Sequence, residues 1–490
     1  MASQNPLHFL LLPHLTQGHL IPMIDMAKLL AQHNISITLI TTPLNASRLA
    51  ATVSRSAQSG LKIQLLQVPF PTSESGLPDG CETMDSLPSR DLFPNFLTAI
   101  KLLQHPIEHL IDGLNPSISC IISDKNLAWA LETARKRAIP RLVFDGTSCF
   151  SALCTHVLLS CKIHEGTASD SEPFVVPGLP DRIVLTRSQL PNAVNMPDAK
   201  GLRLEIRAAE RAAYGAVVNS FEELEPEYVE EFGRVRGGKV WCIGPVSLCN
   251  KDDLDKLERG SKSLVDENKC FEWLDLQGPG SVVYVCFGSL GRSTTPQLVE
   301  IGLGLEASGR PFVWVVRGGE SEEFENWIVE DGFEERNRGK GVLVRGWAPQ
   351  VLILSHPAVG GFVTHCGWNS TLEGVCAGVP MVTWPLFADQ FYNEKLIVEL
   401  LRVGVQVGVE FVVNWGQEEK YGVVVRRQRV TRAVEELMGG GVEGRERRER
   451  ARELGEMAKR AVEEGGSSFL NIERLIQDIR EQVMGNQTTT

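Results

Sequence analysis

Short apolar runs alternate with amphipathic helical patterns along most of the chain, and this alternation limits the possible folds more than any other feature. In the first half the apolar runs stand at residues 8–12, 35–41, 62–68, 119–124, 141–146, 215–220 and 240–245. Runs of this length separated by helical patterns are typical of parallel strands joined by right-handed helical crossovers. The sequence therefore predicts an α/β fold with a parallel sheet in this half.

The alternation restarts after a polar, charged segment at residues 248–268. The second set of apolar runs stands at residues 281–289, 311–318, 341–347, 360–368, 380–385 and 404–409. We interpret 248–268 as an interdomain linker between two Rossmann-like domains, 1–247 and 269–468, and expect the amphipathic helix in 469–490 to pack back on the first domain. Two doubly wound parallel sheets predict a ligand cleft between the domains, at the carboxyl ends of the strands.

The overall charge and composition disfavour several classes of function. A formal net charge of −12 argues against nucleic acid as a partner. The N-terminus lacks the pattern of a signal peptide, and no apolar run reaches the roughly 18 residues that a membrane helix needs. The eleven cysteines include no Cys-x-x-Cys pair, which predicts reduced thiols in a cytoplasmic protein without a metal site. We expect a monomer.

The chain lacks the glycine pattern of the common nucleotide-binding loops. Neither half has Gly-x-Gly-x-x-Gly after its first predicted strand, and neither has a Walker loop. A nicotinamide-dependent oxidoreductase, which paired Rossmann-like halves would also allow, is therefore disfavoured.

The most informative stretch runs from residue 347 to residue 390, WAPQVLILSHPAVGGFVTHCGWNSTLEGVCAGVPMVTWPLFADQ. Its strand GGFVT leads into a helix predicted to begin near Asn369 and Ser370. Unpaired N–H groups and the positive pole of the helix dipole favour binding of a diphosphate there. However, Ser370 and Glu373 also match a capping box, and His365 is equally compatible with a role in packing. The pattern alone leaves both interpretations open.

This stretch resembles the signature box of the plant UDP-dependent glycosyltransferases of small molecules, which are family 1 enzymes of the GT-B fold. It matches from the leading Trp-Ala-Pro-Gln to the closing Asp-Gln, with HCGWNS and EG in their expected places. Other segments similar to the family are QGHLIPM, VVNSFEELE, CIGP, WLD, VVYVCFGS and RGWAPQ. The resemblance implies inverting transfer of a sugar, most readily glucose, from a UDP-sugar to a hydroxyl of a small hydrophobic metabolite, without a metal or other cofactor.

The resemblance also implies a role for each matching residue. Trp347 would stack on the uracil, Ala348 and Gln350 would bond its edge, and Glu373 would accept the ribose hydroxyls. The residues implied to hold the diphosphate are Ser289, His365, Asn369 and Ser370. The residues implied to contact the sugar are Trp368, Asp389 and Gln390. An insertion at 413–422 is similar to that of a subgroup whose acceptors include flavonoids and triterpenoids.

His19 stands where the first predicted strand passes into the first predicted helix, near 20–31. The positive pole of a helix N-terminus disfavours imidazolium, so we expect a neutral ring that can take a proton from an acceptor hydroxyl. The resemblance gives Asp124 as the carboxylate that orients this ring. Two alternatives are an N-cap role for Asp124 in a helix at 125–137 and Asp145 as the partner of His19.

Two further features lie close to His19 and Asp124 in the sequence. His14, earlier in the same loop, is assigned a structural role. Lys125 and Asn126 follow Asp124 where the family pattern leads us to expect apolar or bulky residues. A lysine at this position could compete for Asp124 or contact a polar acceptor.

A non-catalytic protein that binds sugar nucleotides is the second alternative function, and the presence of both His19 and Asp124 argues against it.

Overall fold

The computed structural model describes residues 7–195, 200–257, 259, 267–316 and 322–487. The chain divides into two compact units. The first comprises Met1–Cys149, Met196–Gly260 and Arg460–Thr490, and the second comprises Phe150–Asn195 and Ser261–Lys459. Of the linker predicted at 248–268, residues 258 and 260–266 lie outside the described part of the chain.

The strands of the described residues are numbered in chain order. They are β1 His8–Leu12, β2 Ser36–Thr41, β3 Ile63–Gln67, β4 Cys120–Asp124, β5 Arg141–Asp145, β6 Pro173–Val175, β7 Val184–Thr186, β8 Gly215–Val218, β9 Val240–Cys242, β10 Val282–Cys286, β11 Phe312–Val316, β12 Gly341–Arg345, β13 Val359–Thr364, β14 Met381–Thr383 and β15 Gly404–Gln406. All except β6 and β7 coincide with apolar runs that predicted strands.

The first unit is built on a seven-stranded parallel sheet with the order β3-β2-β1-β4-β5-β8-β9. The α-helices of the described residues in this unit are Gln17–Gln32, Pro43–Gln58, Thr72–Ser75, Phe93–Leu102, Gln104–Asp112, Ala130–Lys136, Lys200–Arg211, Pro226–Val235, Asp253–Leu257 and Ser467–Gln487. Strand β1 is an interior strand of the sheet, and all five of its residues are buried. Because the side chains on both faces of this strand are buried, its sequence is continuously apolar.

The C-terminal helix Ser467–Gln487 belongs to the core of the first unit. Its residues Ile472, Leu475, Ile476 and Ile479 are buried in one hydrophobic cluster with β1, β2 and the helix Gln17–Gln32. These positions recur at intervals of three and four residues, so they form one apolar face of the helix. Burial of each such side chain contributes about 1.5–3 kcal/mol to stability.

The second unit contains a six-stranded parallel sheet with the order β12-β11-β10-β13-β14-β15. This is the Rossmann-like order, in which the chain reverses direction across the sheet beside β10 and β13. Strands β6 and β7 form a separate antiparallel pair. The observed architecture confirms the predicted α/β class with two parallel sheets, whereas the sequence did not predict the β6–β7 pair.

The remaining α-helices begin with Cys149–Cys161, whose first residue is assigned to the first unit and whose other residues are assigned to the second. The others are Asn192–Asn195, Glu267–Asp275, Thr295–Ala307, Glu322–Asp331, Phe333–Arg336, Gln350–Leu354, Trp368–Ala377, Gln390–Lys395, Glu418–Tyr421, Arg427–Met438 and Val442–Val462. A π-helical turn, Leu396–Leu400, continues Gln390–Lys395. Single 3₁₀ turns lie at Met84–Ser86, Arg90–Leu92, Ile163–Gly166, Arg187–Gln189 and Val246–Cys249.

Candidate functional site

In the first unit, three neighbouring strand ends bring His19, Asp124 and Asp145 to one edge of the sheet. Strands β1 and β4 are paired in parallel, with Leu12 opposite Ser123, and β4 is paired with β5 in the same direction. His19 follows β1 in the first turn of the helix Gln17–Gln32, which begins three residues earlier than predicted. Asp124 and Asp145 are the last residues of β4 and β5.

The ring of His19 contacts Asp124 directly. Nδ1 of His19 lies 2.5 Å from Oδ2 of Asp124, so we assign the ring proton to Nδ1, where it is donated to an ionised carboxylate. Asp124 is fully buried, whereas the His19 side chain is 30% exposed. This tautomer leaves a lone pair on Nε2, which can accept a proton.

Asp124 is not a helix N-cap. The following helix is Ala130–Lys136, with Trp129 at its N-cap, so the predicted helix at 125–137 begins too early and the N-cap alternative is wrong. Instead, Oδ1 of Asp124 accepts the backbone N–H of Asn126 at 2.9 Å. A short polar side chain that bonds the backbone two residues on stabilises a turn rather than a helix.

Opposing effects act on the pKa of His19. Burial lowers it, but the charge of Asp124 and the hydrogen bond to it together raise it above the ordinary value of 6.5. For Asp124, burial favours the neutral acid, yet the charge and hydrogen bond of His19 outweigh this and hold the pKa of Asp124 well below its usual range. The carboxylate therefore dominates the field at His19, rather than the helix pole invoked from the sequence.

His14 lies beside the pair. Its ring centroid is 5.4 Å from that of His19, and its edge packs against Phe96. Burial lowers the pKa of His14 to about 4, so this ring is neutral at physiological pH. It adds bulk beside His19 without adding charge.

Lys125 is paired with Asp145, the alternative partner considered for His19. Its Nζ donates to Oδ1 of Asp145 at 2.7 Å. The two side chains are 33% and 6% exposed. Burial by itself lowers the pKa of Lys125, but the charge of Asp145 raises it above the usual range. The His19 ring thus donates its hydrogen bond to Asp124, whereas the charge of Asp145 is neutralised by Lys125.

Arg141 holds the turn that carries Asp124 and was not identified from the sequence. Its Nε donates to Oγ of Ser123 at 2.8 Å, and its Nη2 donates to the backbone oxygens of Asp124 and Leu127 at 3.3 and 3.2 Å. The side chain is 2% exposed. Because a buried arginine requires partners for its donors, these bonds fix the backbone on both sides of Lys125.

In the second unit, the residues predicted to hold a diphosphate lie where β13 passes into the helix Trp368–Ala377. The N-cap is Gly367, and the preceding Cys366 has a left-handed backbone with φ of 63°. Asn369 and Ser370 are therefore the second and third helical residues. The capping-box interpretation is wrong, since Ser370 does not precede the helix. The first-turn N–H groups at this position lack intrahelical acceptors.

His365 lies between two glycines. A Cβ atom on Gly288 would stand 2.4 Å from Cε1 of His365, and a Cβ on Gly367 would stand 2.3 Å from its Nε2. Any larger residue would displace the ring. Burial lowers the pKa of His365 to about 4, and its Nδ1 has no hydrogen-bond partner among the described residues. A neutral ring in this position can donate to a bound anion.

Gln350 connects two helices of the second unit. Its Nε2 donates to Oγ of Ser370 at 3.0 Å and to Oε2 of Glu373 at 2.7 Å. Ser370 and Glu373 are each 7% exposed. Three residues that the family resemblance predicts to bind the nucleotide thus lie in direct contact.

The predicted sugar-contacting residues are held by their own loop. Oε1 of Gln390 accepts the backbone N–H groups of Leu386 and Phe387 at 2.7 and 2.9 Å. Its Nε2 is therefore the group of this amide that is left for a ligand. Oδ2 of Asp389 accepts from Nδ2 of Asn393 at 2.9 Å, which fixes the orientation of that carboxylate.

Asn393 was not identified from the sequence, although it lies four residues after Asp389 on the same face of the helix. It is fully buried. Its Nδ2 also donates to the backbone oxygen of Cys366 at 2.9 Å, and its Oδ1 accepts from Oγ of Ser151 at 2.9 Å. One side chain thus connects the predicted sugar-binding and diphosphate-binding segments.

The other predicted residues also lie at ends of elements in the second unit. Trp347 and Ala348 follow β12, and Ser289 follows β10. Trp368 is the first residue of its helix and is 3% exposed. All the residues predicted to bind the donor belong to the second unit, whereas His19 and Asp124 belong to the first.

Neither a metal-binding group of side chains nor a membrane-spanning helix is present among the described residues. Within 7–195, 200–257, 259, 267–316 and 322–487, no three His, Cys, Asp or Glu side chains are grouped to hold a metal ion. In the same part of the chain, no helix combines the length and hydropathy needed to span a membrane. The prediction of a reaction without a metal stays a prediction.

Two family models match the chain. One, described as "Glycosyltransferase, N-terminal domain", covers residues 6–248, and the other, "UDP-glucoronosyl and UDP-glucosyl transferase", covers residues 262–413. Among curated relatives, UDP-glycosyltransferase 73C6 of Arabidopsis thaliana is 52% identical over 484 residues, which is 98% of each chain. UDP-glycosyltransferase 73E1 of Stevia rebaudiana is 51% identical and covers 99% of this chain and 98% of its own.

Solved structures agree with these matches. UGT73P12 of Glycyrrhiza uralensis, complexed with glycyrrhetinic acid 3-O-monoglucuronide, has a TM-score of 0.92 at 37% identity, covering 99% of this chain and 98% of its own. TcCGT1 in complex with UDP has a TM-score of 0.77 at 26% identity, covering 98% and 100%. With one relative 52% identical over nearly the whole length, the chain belongs to the plant UDP-dependent glycosyltransferases of the GT-B fold, which transfer a sugar from a UDP-sugar to small molecules.

Proposed function

We propose that this protein transfers glucose from UDP-glucose to a hydroxyl of a small hydrophobic metabolite, with inversion at the anomeric carbon. His19 is the general base in this proposal. The observation that supports it most directly is the 2.5 Å contact between Nδ1 of His19 and Oδ2 of buried Asp124. A histidine whose Nδ1 is held by a carboxylate has the tautomer and orientation needed to accept a proton at Nε2.

The proposed reaction is a single displacement. The acceptor hydroxyl transfers its proton to Nε2 of His19 while its oxygen attacks the anomeric carbon. The bond from that carbon to the diphosphate breaks, and its electron pair leaves with UDP. Asp124 stabilises the imidazolium that forms, because a buried carboxylate attracts a neighbouring cation strongly. The proton then passes to solvent, and the base is restored.

The proposed donor site uses the second unit. Trp347 stacks on the uracil, Ala348 and Gln350 bond its edge, and Glu373 accepts the ribose hydroxyls. The helix N-terminus at Gly367 supplies N–H groups and a positive dipole for the diphosphate. The other proposed diphosphate donors are Ser289, His365, Asn369 and Ser370. Trp368, Asp389 and Gln390 are the proposed sugar contacts. These groups supply the positive potential without a metal ion.

The acceptor class is proposed from related complexes. Solved relatives hold glycyrrhetinic acid 3-O-monoglucuronide, quercetin and pterostilbene. Each of these molecules has a rigid carbon skeleton and carries hydroxyl groups, either on the skeleton itself or on an attached sugar. We therefore propose a flavonoid, triterpenoid or other phenolic or terpenoid acceptor for this protein.

The test is a panel of flavonoids, triterpenoids and simple phenols incubated with UDP-glucose. We expect a gain of one hexose in at least one acceptor by mass spectrometry, together with UDP release. Nuclear magnetic resonance of the product should show the β-glucoside formed from the α-linked donor. A product of retained configuration would contradict the single displacement. UDP-glucose binding with no product from any acceptor would instead favour the non-catalytic alternative.

A further inference from the structure

Lys125, at the edge of the first sheet, takes no part in the proposed mechanism. Its Nζ lies 2.7 Å from Oδ1 of Asp145, and Asp145 is buried. Lys125 directly follows Asp124 in the chain. Nη2 of Arg141 donates hydrogen bonds to the backbone oxygens of Asp124 and Leu127, and these bonds hold the turn on both sides of Lys125.

The ring of His19 packs against the backbone that follows Asp145. A Cβ atom on Gly146 would stand 3.7 Å from both Cε1 and Nδ1 of His19. The ring therefore lies between two strand ends, and each strand end carries an aspartate. Asp124 accepts a hydrogen bond from the ring, whereas Asp145 accepts one from Lys125.

Two carboxylates beside one imidazole create a choice of partners. A buried carboxylate without a cation is costly, and Lys125 and a protonated His19 are the nearby cations that could serve Asp145. The titratable and charged groups around His19 are Asp124, Lys125, Asp145 and the neutral His14. Glu210 also interacts with Lys125 and Asp145, and with the cations Arg236 and Arg207.

We propose that Lys125 is a positioning residue for the base: by neutralising Asp145, it leaves Asp124 as the carboxylate that orients His19 and sets its affinity for protons. The proposal rests on the proposed function of His19. It gives Lys125, the residue after Asp124, a role that does not require contact with the acceptor. It also predicts a specific pattern of changes in pH dependence.

The experiment is a charge cycle, read from the dependence of kcat/KM on pH, whose acid limb reports the base of the free enzyme. In Lys125→Met the lost cation no longer opposes imidazolium, so the acid limb should move to higher pH by about 0.5–1 unit. In Asp145→Asn the uncompensated lysine should move the limb to lower pH. The double variant, which removes both charges, should return the limb close to the wild-type position.

Two controls separate this effect from a general loss of structure. Lys125→Arg keeps the charge and should keep the wild-type limb. Lys239→Met breaks a comparable ion pair in the same unit, since Nζ of Lys239 lies 2.6 Å from Oδ1 of Asp478. It should leave the limb in place even where it lowers the melting temperature. If Lys125→Met alone failed to fold, a limb that moves to lower pH in Asp145→Asn and returns to the wild-type position in the double variant would still carry the test.

The outcomes distinguish this inference from the proposed function. If His19→Ala is inactive but the single charge variants leave the limb unmoved, or move it in the same direction, the role of Lys125 is wrong and the base stands. A change in the KM for the acceptor without a shift of the limb would overturn it in favour of acceptor contact. If His19→Ala keeps its turnover, both proposals fail.

Discussion

Opposing influences act on the proton of the His19 ring. The N-terminus of its helix and its partial burial both disfavour imidazolium, whereas the hydrogen-bonded carboxylate of Asp124 favours it, and the net effect raises the pKa of His19 above 6.5. A base with a raised pKa binds the transferred proton more strongly, but it is protonated, and so inactive, over a wider acidic range.

Replacing His19 tests its role as the base. His19→Ala should bind UDP as the wild type does, since the proposed nucleotide residues belong to the other unit, but turnover should fall by about 10²–10⁴-fold, as removal of a general base typically does. Turnover is measured as UDP release with a reactive acceptor, and UDP binding by calorimetry. Near-normal turnover in a folded His19→Ala protein would contradict the assignment.

Replacing Asp124 tests the origin of the raised pKa. Because only the neutral ring accepts a proton, activity is lost as the pH falls through the pKa of His19, and the acid limb in the wild type should lie above pH 6.5. Asp124→Asn can still accept the Nδ1 proton but removes the negative charge. The limb should therefore move to lower pH, and maximal turnover should fall by less than in His19→Ala.

A pH series of kcat/KM measures both quantities for Asp124→Asn. A limb that stays in place, or moves to higher pH, would show that Asp124 does not set the proton affinity of the base. Circular dichroism at each pH serves as the control for folding.

At the residue scale, the sequence predicted which side chains lie close together but not the hydrogen-bond or ion-pair partner of each one. His19 and Asp124 follow neighbouring parallel strands, so their proximity could be inferred from the order of the runs. The ion pair of Lys125 with Asp145 could not, since it depends on side-chain rotamers and on the turn that Arg141 holds. For the same reason, the sequence did not show that Oε1 of Gln390 is used by its own loop.

At the element scale, helix starts were the least predictable features. The pattern at 125–137 predicted a helix directly after Asp124, whereas the helix is Ala130–Lys136. The Asx turn of Asp124 competes with the helix for the same backbone. Likewise, Ser370 matched an N-cap by spacing alone, but the chain enters that helix at Gly367 through the left-handed Cys366.

The helix Trp368–Ala377 gives the next prediction. Glu373 is not part of a capping box, so its removal should weaken nucleotide binding more than it destabilises the helix end. Glu373→Ala should reduce the affinity for UDP by about 1.5–3 kcal/mol, the usual loss for a hydrogen bond to a charged group. Isothermal titration with UDP, accompanied by a melting curve, is the measurement.

Glu373→Gln is the matched control for this prediction. It retains an oxygen for Nε2 of Gln350, which lies 2.7 Å from Glu373 in the wild type, but it loses the charge. It should lie between the wild type and Glu373→Ala in affinity. A fall in melting temperature with unchanged affinity would contradict the ribose-binding role.

At the scale of the whole molecule, the repeated alternation predicted two parallel sheets correctly because each strand is a separate apolar run. It did not show that Phe150–Asn195, which follows β5, belongs to the same unit as the donor residues. Assignment of a segment to a unit depends on long-range contacts, such as the 2.9 Å bond of Ser151 to Asn393. Local periodicity contains no information about such contacts.

The preferred donor sugar is a property of the whole enzyme. Solved relatives are complexed with different UDP-sugars: UGT89C1 of Arabidopsis thaliana with UDP-L-rhamnose, and UGT2 of Phytolacca americana with UDP-2fluoro-glucose. The fold therefore does not decide the sugar. The proposed preference for glucose rests on the resemblance of the closing Asp389-Gln390 of the signature box to that of the members that use glucose.

We expect UDP-glucose to have the highest kcat/KM among UDP-glucose, UDP-galactose, UDP-xylose and UDP-glucuronic acid. UDP-galactose differs from it only in the direction of the 4-hydroxyl, and an unpaired buried polar group costs about 1–3 kcal/mol, or roughly ten- to a hundredfold in preference. Gln390→Glu is the sharpest variant, because a carboxylate can still accept the N–H groups of Leu386 and Phe387 while the Nε2 donor is lost. This variant should have a kcat/KM for UDP-glucose that is lower by about tenfold or more. The ratio of its kcat/KM for UDP-glucose to its kcat/KM for UDP-galactose should also be smaller than in the wild type. If another donor is preferred by the wild type, or if Gln390→Glu leaves this ratio unchanged, Gln390 does not select the sugar, and the assignment to the enzyme family is unaffected.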